Sequence, residues 1–320
     1  MSAEWDLWKD GVTQGFIQSF LNCREQTRLH FIEGWASRKT SQALSDGNLG
    51  HAILAEAYGQ FRGAPPDAKW IDQEAEIQFN IWRKEHPHAM PNEFEIMEKS
   101  VLMMKTILPA YFEHWADDFT KKRWINIENT FNVTYQYEDG EKAPIRGRKD
   151  GVFKRNDKLW LFENKFKAYI DEEGLLDGLG VDLQCNLYLY ALRRIHAQMP
   201  AGVLYNVIRR PALRQKRSES FAVFAKRCKQ DTYKRPDHYF RRVQMTITME
   251  EMNDWKNKFL APVMIAIRAW FEGQEGTHFM NPGALFTKYG RSSMFGPICN
   301  NDFSQHYKRR VVFSELDDEF

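Results

Sequence analysis

Cysteine is scarce. Four cysteines (Cys23, Cys185, Cys228 and Cys299) lie far apart in 320 residues, and none forms a Cys-x-x-Cys pair. So few thiols in a chain of this size do not make a disulfide framework, and a reducing, cytoplasmic setting is expected. Long apolar runs are also missing. The longest, Phe259 to Ile267, is interrupted by Pro262 and is far too short to span a bilayer. Glu4, Asp6, Lys9 and Asp10 stand where a secretory signal needs an apolar stretch, so neither a signal nor a membrane span is expected. No internal repeat is visible. The lack of a P-loop or a nucleophile elbow leaves a metal-independent hydrolase without support. Net charge is only +2, so the chain as a whole shows no bulk preference for a polyanion.

What is present is the material of a large core. A hydrophobic content of 43% can fill one, and aromatic residues at 14% need packing partners, which argues against disorder. Residues 41–62 begin with Ser and Asp-Gly punctuation and continue at helical spacing through His51, Ile53, Leu54, Ala57 and Tyr58. A second helix is predicted from Glu93 to Trp115, with Pro109 as a kink or break. From Trp124 the period changes to two, and the stretch ends in the turn Glu138-Asp139-Gly140. Strands at 145–153 and 159–167, separated by Lys-Arg-Asn-Asp, complete a three-stranded antiparallel meander. A helix at 182–196 and a strand at 203–208 follow, so the core reads as α/β.

The charge is unevenly spread. Between Arg193 and Arg242 there are fourteen Lys or Arg against three acids, an excess of +11. Tyr and Phe are interleaved with these cations, a composition that neutralises phosphates while stacking on exposed bases. Thr248-Met-Glu-Glu251 is a capping box that opens a helix to about Phe271, and the tail from Gly273 shows no strong period.

One strand carries charges where they are costly. Glu163-Asn164-Lys165 follows Leu159, Trp160, Leu161 and Phe162, and alternation puts Glu163 and Lys165 on one face with Phe162 and Phe166 on the other. If the hairpin closes, Asp150 joins them. Two carboxylates at one point suit Mg²⁺ or Mn²⁺, and an adjacent ammonium can orient a water, take its proton or steady developing negative charge. That set suits metal-assisted phosphodiester hydrolysis. Gln184 and Tyr188 lie four residues apart on one face of the following helix.

These residues resemble the PD-(D/E)XK nucleases, specifically the RecB-like exonuclease branch that includes phage recombination and CRISPR adaptation nucleases. The first acidic motif is matched by Gly147-Arg148-Lys149-Asp150-Gly151-Val152 and the second by Glu163-Asn164-Lys165. Gln184-Cys-Asn-Leu-Tyr188 matches the Q-x-x-x-Y motif, and His51 in Leu49-Gly50-His51 matches the helical histidine of that branch. The resemblance runs from about Ser19 to Cys299. It implies a restriction-endonuclease-like α/β core with a central mixed sheet flanked by helices, a helical N-terminal region and an irregular tail. It further implies that Asp150, Glu163, the Asn164 carbonyl and His51 hold Mg²⁺ or Mn²⁺. Lys165 would serve the attacking water, while Gln184 and Tyr188 contact DNA or brace the site. Glu128 stands where relatives often carry an acidic residue, but an ordinary strand-face carboxylate is an equal reading, so it stays outside this set.

The expected organisation is one nuclease domain over 1–320: a helical part (1–123), a catalytic core (124–210), a basic DNA-contacting insertion (211–247), and a C-terminal helix and docking tail (248–320). Arg148, Arg209, Arg210, Arg214, Lys216, Arg217, Arg241 and Arg242 are the expected DNA contacts. Relatives often carry a four-cysteine iron–sulfur site. Here Cys23 and Cys299 fit its outer positions but Leu285 and Ser293 occupy the inner two, so no cluster is expected. The tail is expected to dock through Phe286, Tyr289, Phe295 and Ile298, with Cys23 and Cys299 as buried thiols. The activity expected is that of a divalent-metal DNA nuclease, an exonuclease on ends or single strands, acting in recombination, repair or phage DNA processing. A homo-oligomer or a recombination-protein partner is expected beside DNA. The alternative is a silent DNA-binding subunit of a recombination assembly.

Overall fold

The computed structural model describes residues 5–38, 41–211, 213–274, 280–287, 290–291, 295–303 and 307–316. Its helical part opens with α1 (Gln14–Asn22), the single turn α2 (Arg24–Thr27) and a short strand β1 (Trp35–Ser37), then continues through α3 (Gln42–Gln60), α4 (Ala68–Glu85) and α5 (Pro91–His114). Ser41 starts α3 by accepting a hydrogen bond from the Leu44 amide, and Leu49, Ile53, Leu54, Ala57 and Tyr58 form its buried stripe. α4 is not evident in the sequence because its apolar face is thin, only Ile71 and Ala75 being buried apolar residues. Its start is nonetheless signalled by Pro65-Pro66-Asp67, where the Asp67 side chain caps the Trp70 amide. Pro109 does not break α5. It is buried among Leu108, Ala110, Tyr111 and Phe112, and their packing outweighs one missing helical hydrogen bond.

The meander forms as expected from β2 (Arg123–Gln136), β3 (Lys142–Arg155) and β4 (Lys158–Lys167). Asn156 and Asp157, both at positive φ, make the two-residue turn between the last two strands. After α6 (Glu172–Leu179), the helix α7 (Leu183–His196) crosses over to β5 (Gly202–Arg209), which pairs parallel with β4. α8 (Phe221–Lys234) then packs against α5, and β6 (Phe240–Thr246) closes the sheet antiparallel to β5. The sheet is mixed, in the order β2-β3-β4-β5-β6.

Residues 211–247 therefore depart from the expected insertion, since their end supplies the fifth strand. Helices cover both faces. Phe16, Ile17, Leu187, Leu189, Met264 and Trp270 bury one face with Leu161 and Val203, while Tyr58, Ile107, Tyr111 and Phe240 bury the other with Phe153 and Phe162. The capping box of Thr248 and Glu251 opens a helix that runs through a π turn (Lys256–Leu260) to Phe271.

The tail returns to the N-terminal part. Tyr307–Arg309 pairs antiparallel with β1, Trp35 packs on Phe303 at 4.5 Å, and Arg309 lies over the Trp35 ring at 4.3 Å. The Asn281 amide approaches the buried Cys23 Sγ at 3.5 Å, and Leu285 is buried. Cys299 is exposed, which corrects the expectation of a buried thiol there. Ile298 is half-buried; Tyr289, Ser293 and the side chains of Phe286 and Phe295 lie outside the described residues. Among the described residues no helix is long and apolar enough to cross a membrane.

Candidate metal centre

β3 and β4 pair from Arg155↔Lys158 to Gly151↔Phe162 and then part. The next residue on each strand is Asp150 and Glu163. Asp150 Oδ2 accepts a hydrogen bond from the Asn164 amide at 2.6 Å, which keeps its carboxylate in the gap between the strands. Lys165 Nζ donates to Glu163 Oε1 at 2.5 Å and to Gln184 Oε1 on α7 at 2.8 Å. One turn further along α7, the Tyr188 ring meets Phe131 edge-on at 5.2 Å. The helix α3 delivers His51 from the opposite side. Its Nδ1 stands 3.5 Å from Asp150 Oδ1 and 3.4 Å from Glu128 Oε1. This approach depends on Gly50, because a Cβ there would lie 2.1 Å from the Phe166 ring. The structure thus gathers Asp150, Glu163, Lys165, Gln184, Tyr188 and His51 at one place. Asn164 contributes only its main chain there, since its side chain turns to the other face and bonds Asn206.

Glu128, left out of the predicted set, belongs to the site. The pairs Ile127↔Gly151 and Asn129↔Lys149 put it opposite Asp150, and its φ of 44° is strained for a residue with a side chain. Counting back from the Glu138-Asp139-Gly140 turn gives this register, a signal the sequence does contain. His51, Glu128 and Asp150 offer ligand atoms that all lie within 4.8 Å of one another.

The electrostatics fit a cation. Burial, then the Asp150 charge, push the Glu163 carboxyl up to about 8. Asp150 is raised as well, by burial first, against the pull of His51. Burial works to lower the His51 imidazole, but Asp150 and Glu128 outweigh it and its pKa is raised. Burial likewise opposes the Lys165 ammonium, and Glu163 more than compensates, holding it above the usual lysine value. Lys165 is therefore a cation at neutral pH and a poor proton acceptor in this state. Burial pushes the Tyr188 hydroxyl up, so it stays a neutral donor. Glu163 Oε2 is buried with no hydrogen-bond partner. An orphaned carboxylate oxygen beside two further carboxylates and an imidazole is the donor set of Mg²⁺ or Mn²⁺, so the residues fit such an ion.

The expected DNA contacts divide into groups. Arg148, Arg214, Lys216, Arg217 and Arg241 are exposed. Arg209 bonds the Ala168 carbonyl at 3.2 Å and lies over the exposed Tyr169 ring at 5.6 Å, while Arg210 stands 3.8 Å from Asp46 on α3. Arg242 departs from the expectation. Its side chain is 7% exposed and ion-paired with Asp118 inside the fold. Strand alternation sends Arg241 out and Arg242 in, a difference that two adjacent arginines do not announce in sequence.

Compared with known families, residues 12–274 match the PD-(D/E)XK nuclease superfamily. No curated protein matches the chain.

Proposed function

The chain belongs to the PD-(D/E)XK nuclease superfamily, metal-dependent enzymes that hydrolyse phosphodiester bonds, and from that premise we propose that it is a deoxyribonuclease of exonuclease type. The observation that carries the reading is the convergence of Asp150, Glu163 and Lys165 beside the orphaned Glu163 oxygen. His51, Glu128, Asp150, Glu163 and the Asn164 carbonyl would hold Mg²⁺ or Mn²⁺, the imidazole favouring Mn²⁺ as the softer ion. The ion, when bound, lowers the pKa of a water and offsets the charge that builds on the phosphate. The chain's own groups do the rest. Lys165, fixed between Glu163 and Gln184, presents its third proton to an incoming water or to a phosphate oxygen and steadies the extra negative charge of the transition state. Tyr188 keeps its proton and braces the α7 side of the cleft.

The basic stretch after α7 supports a nucleic-acid substrate. Arg209, Arg210, Arg214, Lys216, Arg217 and Arg241 would follow the phosphates, with Arg148 flanking Asp150. Tyr169 beside Arg209 is suited to stacking on an unpaired base, which favours ends or single strands. Recombination, repair or phage DNA processing is the setting such an activity fits. The complete acidic and lysine set speaks against a silent subunit.

The test is digestion of end-labelled single- and double-stranded DNA, with circular controls, in Mg²⁺ or Mn²⁺. Lys165→Ala is expected to lower cleavage by about 10²–10³-fold, and Asp150→Asn to abolish it. Full activity in both variants overturns the site; cutting of circular DNA overturns the exonuclease reading.

A further inference from the structure

Strand register puts Asn164, Asn206 and Arg242 in a row across β4, β5 and β6. All three side chains point away from Glu163 and Lys165, into the core beneath α3 and α5. Asn206 Nδ2 donates to Asn164 Oδ1 at 2.8 Å and to Tyr111 Oη at 3.0 Å. Arg242 Nε donates to Asn206 Oδ1 at 2.9 Å. The guanidinium then ends on Asp118 at 2.7 Å and Tyr111 Oη at 3.0 Å, and Asp118 also accepts from Tyr58 at 2.8 Å and from Lys122. Asn164, Asn206, Tyr58, Tyr111 and Asp118 are all at most 2% exposed.

A polar row this deep, among Phe162, Ile208 and Phe240, is not the cheapest way to fill a core. Well-packed apolar residues of similar volume stabilise as well or better, so stability does not explain it. A row of side chains bonded end to end instead fixes one arrangement. Its first member is the residue between the two catalytic side chains of β4. The Asn164 side chain is held by Asn206 on one face of the sheet, and its amide is held by Asp150 at the edge of the cleft. The peptide that carries Glu163 and Lys165 is thus gripped from both sides. Resting on the nuclease reading above, we propose that Asn206 and Arg242 are positioning residues that hold the Asn164 peptide, and through it the ligand carboxylates and Lys165, in working geometry.

The test compares Asn206→Leu with Asn206→Asp in the full chain, by Mn²⁺ titration calorimetry, thermal melting, and kcat and KM on end-labelled DNA. Leucine fills the volume without bonding. Aspartate still accepts from Arg242, and Asn164 can turn its amide to donate to it. Asn206→Leu is expected to lose about 10–100-fold in Mn²⁺ affinity and about 100-fold in kcat with KM nearly unchanged. Asn206→Asp is expected to recover both to within about threefold. Unchanged Mn²⁺ affinity and kcat in a folded Asn206→Leu protein overturn the proposal, as does an Asn206→Asp protein that melts normally yet recovers neither. Should Asn206→Leu fail to fold, Tyr111→Phe removes only the hydroxyl shared by Asn206 and Arg242. A loss of several-fold in Mn²⁺ affinity is then expected, and no loss overturns the idea. A wild-type protein that neither binds Mn²⁺ nor cuts DNA sinks the nuclease reading and the positioning role with it. Wild-type binding and cutting that Asn206→Leu leaves intact sink the positioning role alone.

Discussion

Asp150 and Glu163 hold protons more tightly in the folded, metal-free protein than in the unfolded chain, because burial raises both, helped by the Glu128 charge at Asp150 and by the Asp150 charge at Glu163. Their contribution to stability is therefore full below the ordinary glutamate value of 4.5 and is lost as pH rises through about 8. In a chelator, the melting temperature should fall as pH rises from about 4.5 to about 8 and then level off. Saturating Mn²⁺ should flatten that slope, since an ion bound only to the folded state compensates the carboxylates. Asp150→Asn should show a weaker slope and little response to Mn²⁺; calorimetric scans with and without the ion check both. Asp150, Glu163, Lys165 and Gln184 are legible in the sequence because each sits in an unlikely place, a charge within an apolar strand or a polar pair on one helical face. Glu128 is legible only by counting the register back from the Glu138-Asp139-Gly140 turn, and its unusual φ is not legible at all. Arg242 misleads for the converse reason. Its charge is visible in the sequence, but the partner that internalises it, Asp118, lies far away in the chain.

α3 shows how an element can matter more than the residue it delivers. Gly50 lets the helix rest on Phe166, and His51 reaches Asp150 only from that seat. Gly50→Ala should cost about 1–3 kcal/mol through overpacking and lower cleavage by about tenfold or more through a displaced His51. Gly50→Ala with Phe166→Leu should regain most of the stability in a melting experiment. Failure of that rescue would rule out the Phe166 contact as the source of the cost, since alanine is by itself the better helix former. Asp118, just after α5, anchors Arg242 and Lys122, and replacing it with Asn should destabilise the fold by about 3–5 kcal/mol. Arg242, with burial opposing, holds the Asp118 carboxyl below the usual aspartate value, so its stabilisation is present above that value and is lost as pH falls through the depressed one. The destabilisation caused by Asp118→Asn should accordingly shrink in acid, as denaturant titrations at neutral and low pH would show. Elements with clean periodicity (α3, α5, β2 to β5 and α7) are legible. α4, α8 and β6 are not, because charged faces dilute the apolar period and burial by neighbours decides their structure.

For the molecule as a whole, the near-neutral total conceals a +11 excess between Arg193 and Arg242. That field should govern affinity more than sequence preference. Replacing Arg214, Lys216 and Arg217 together by Gln should weaken DNA binding uniformly across sequences. It should also reduce the slope of log affinity against log salt by about 2–3, near 0.7–0.9 for each phosphate no longer neutralised. Fluorescence anisotropy at several salt concentrations measures this, and an unchanged slope would remove the 213–217 stretch from the DNA path. The pairing of β1 with Tyr307–Arg309 has a different consequence, one of timing. The strand that leads into the His51 helix finds its partner only after the whole five-stranded sheet has been made. At ordinary rates of translation it waits on the order of tens of seconds for that partner. A ribosome-bound chain thus carries Asp150, Glu163 and Lys165 well before the strand ahead of His51 is tied down. Tyr307–Arg309 is placed to set when the His51 helix reaches its finished form.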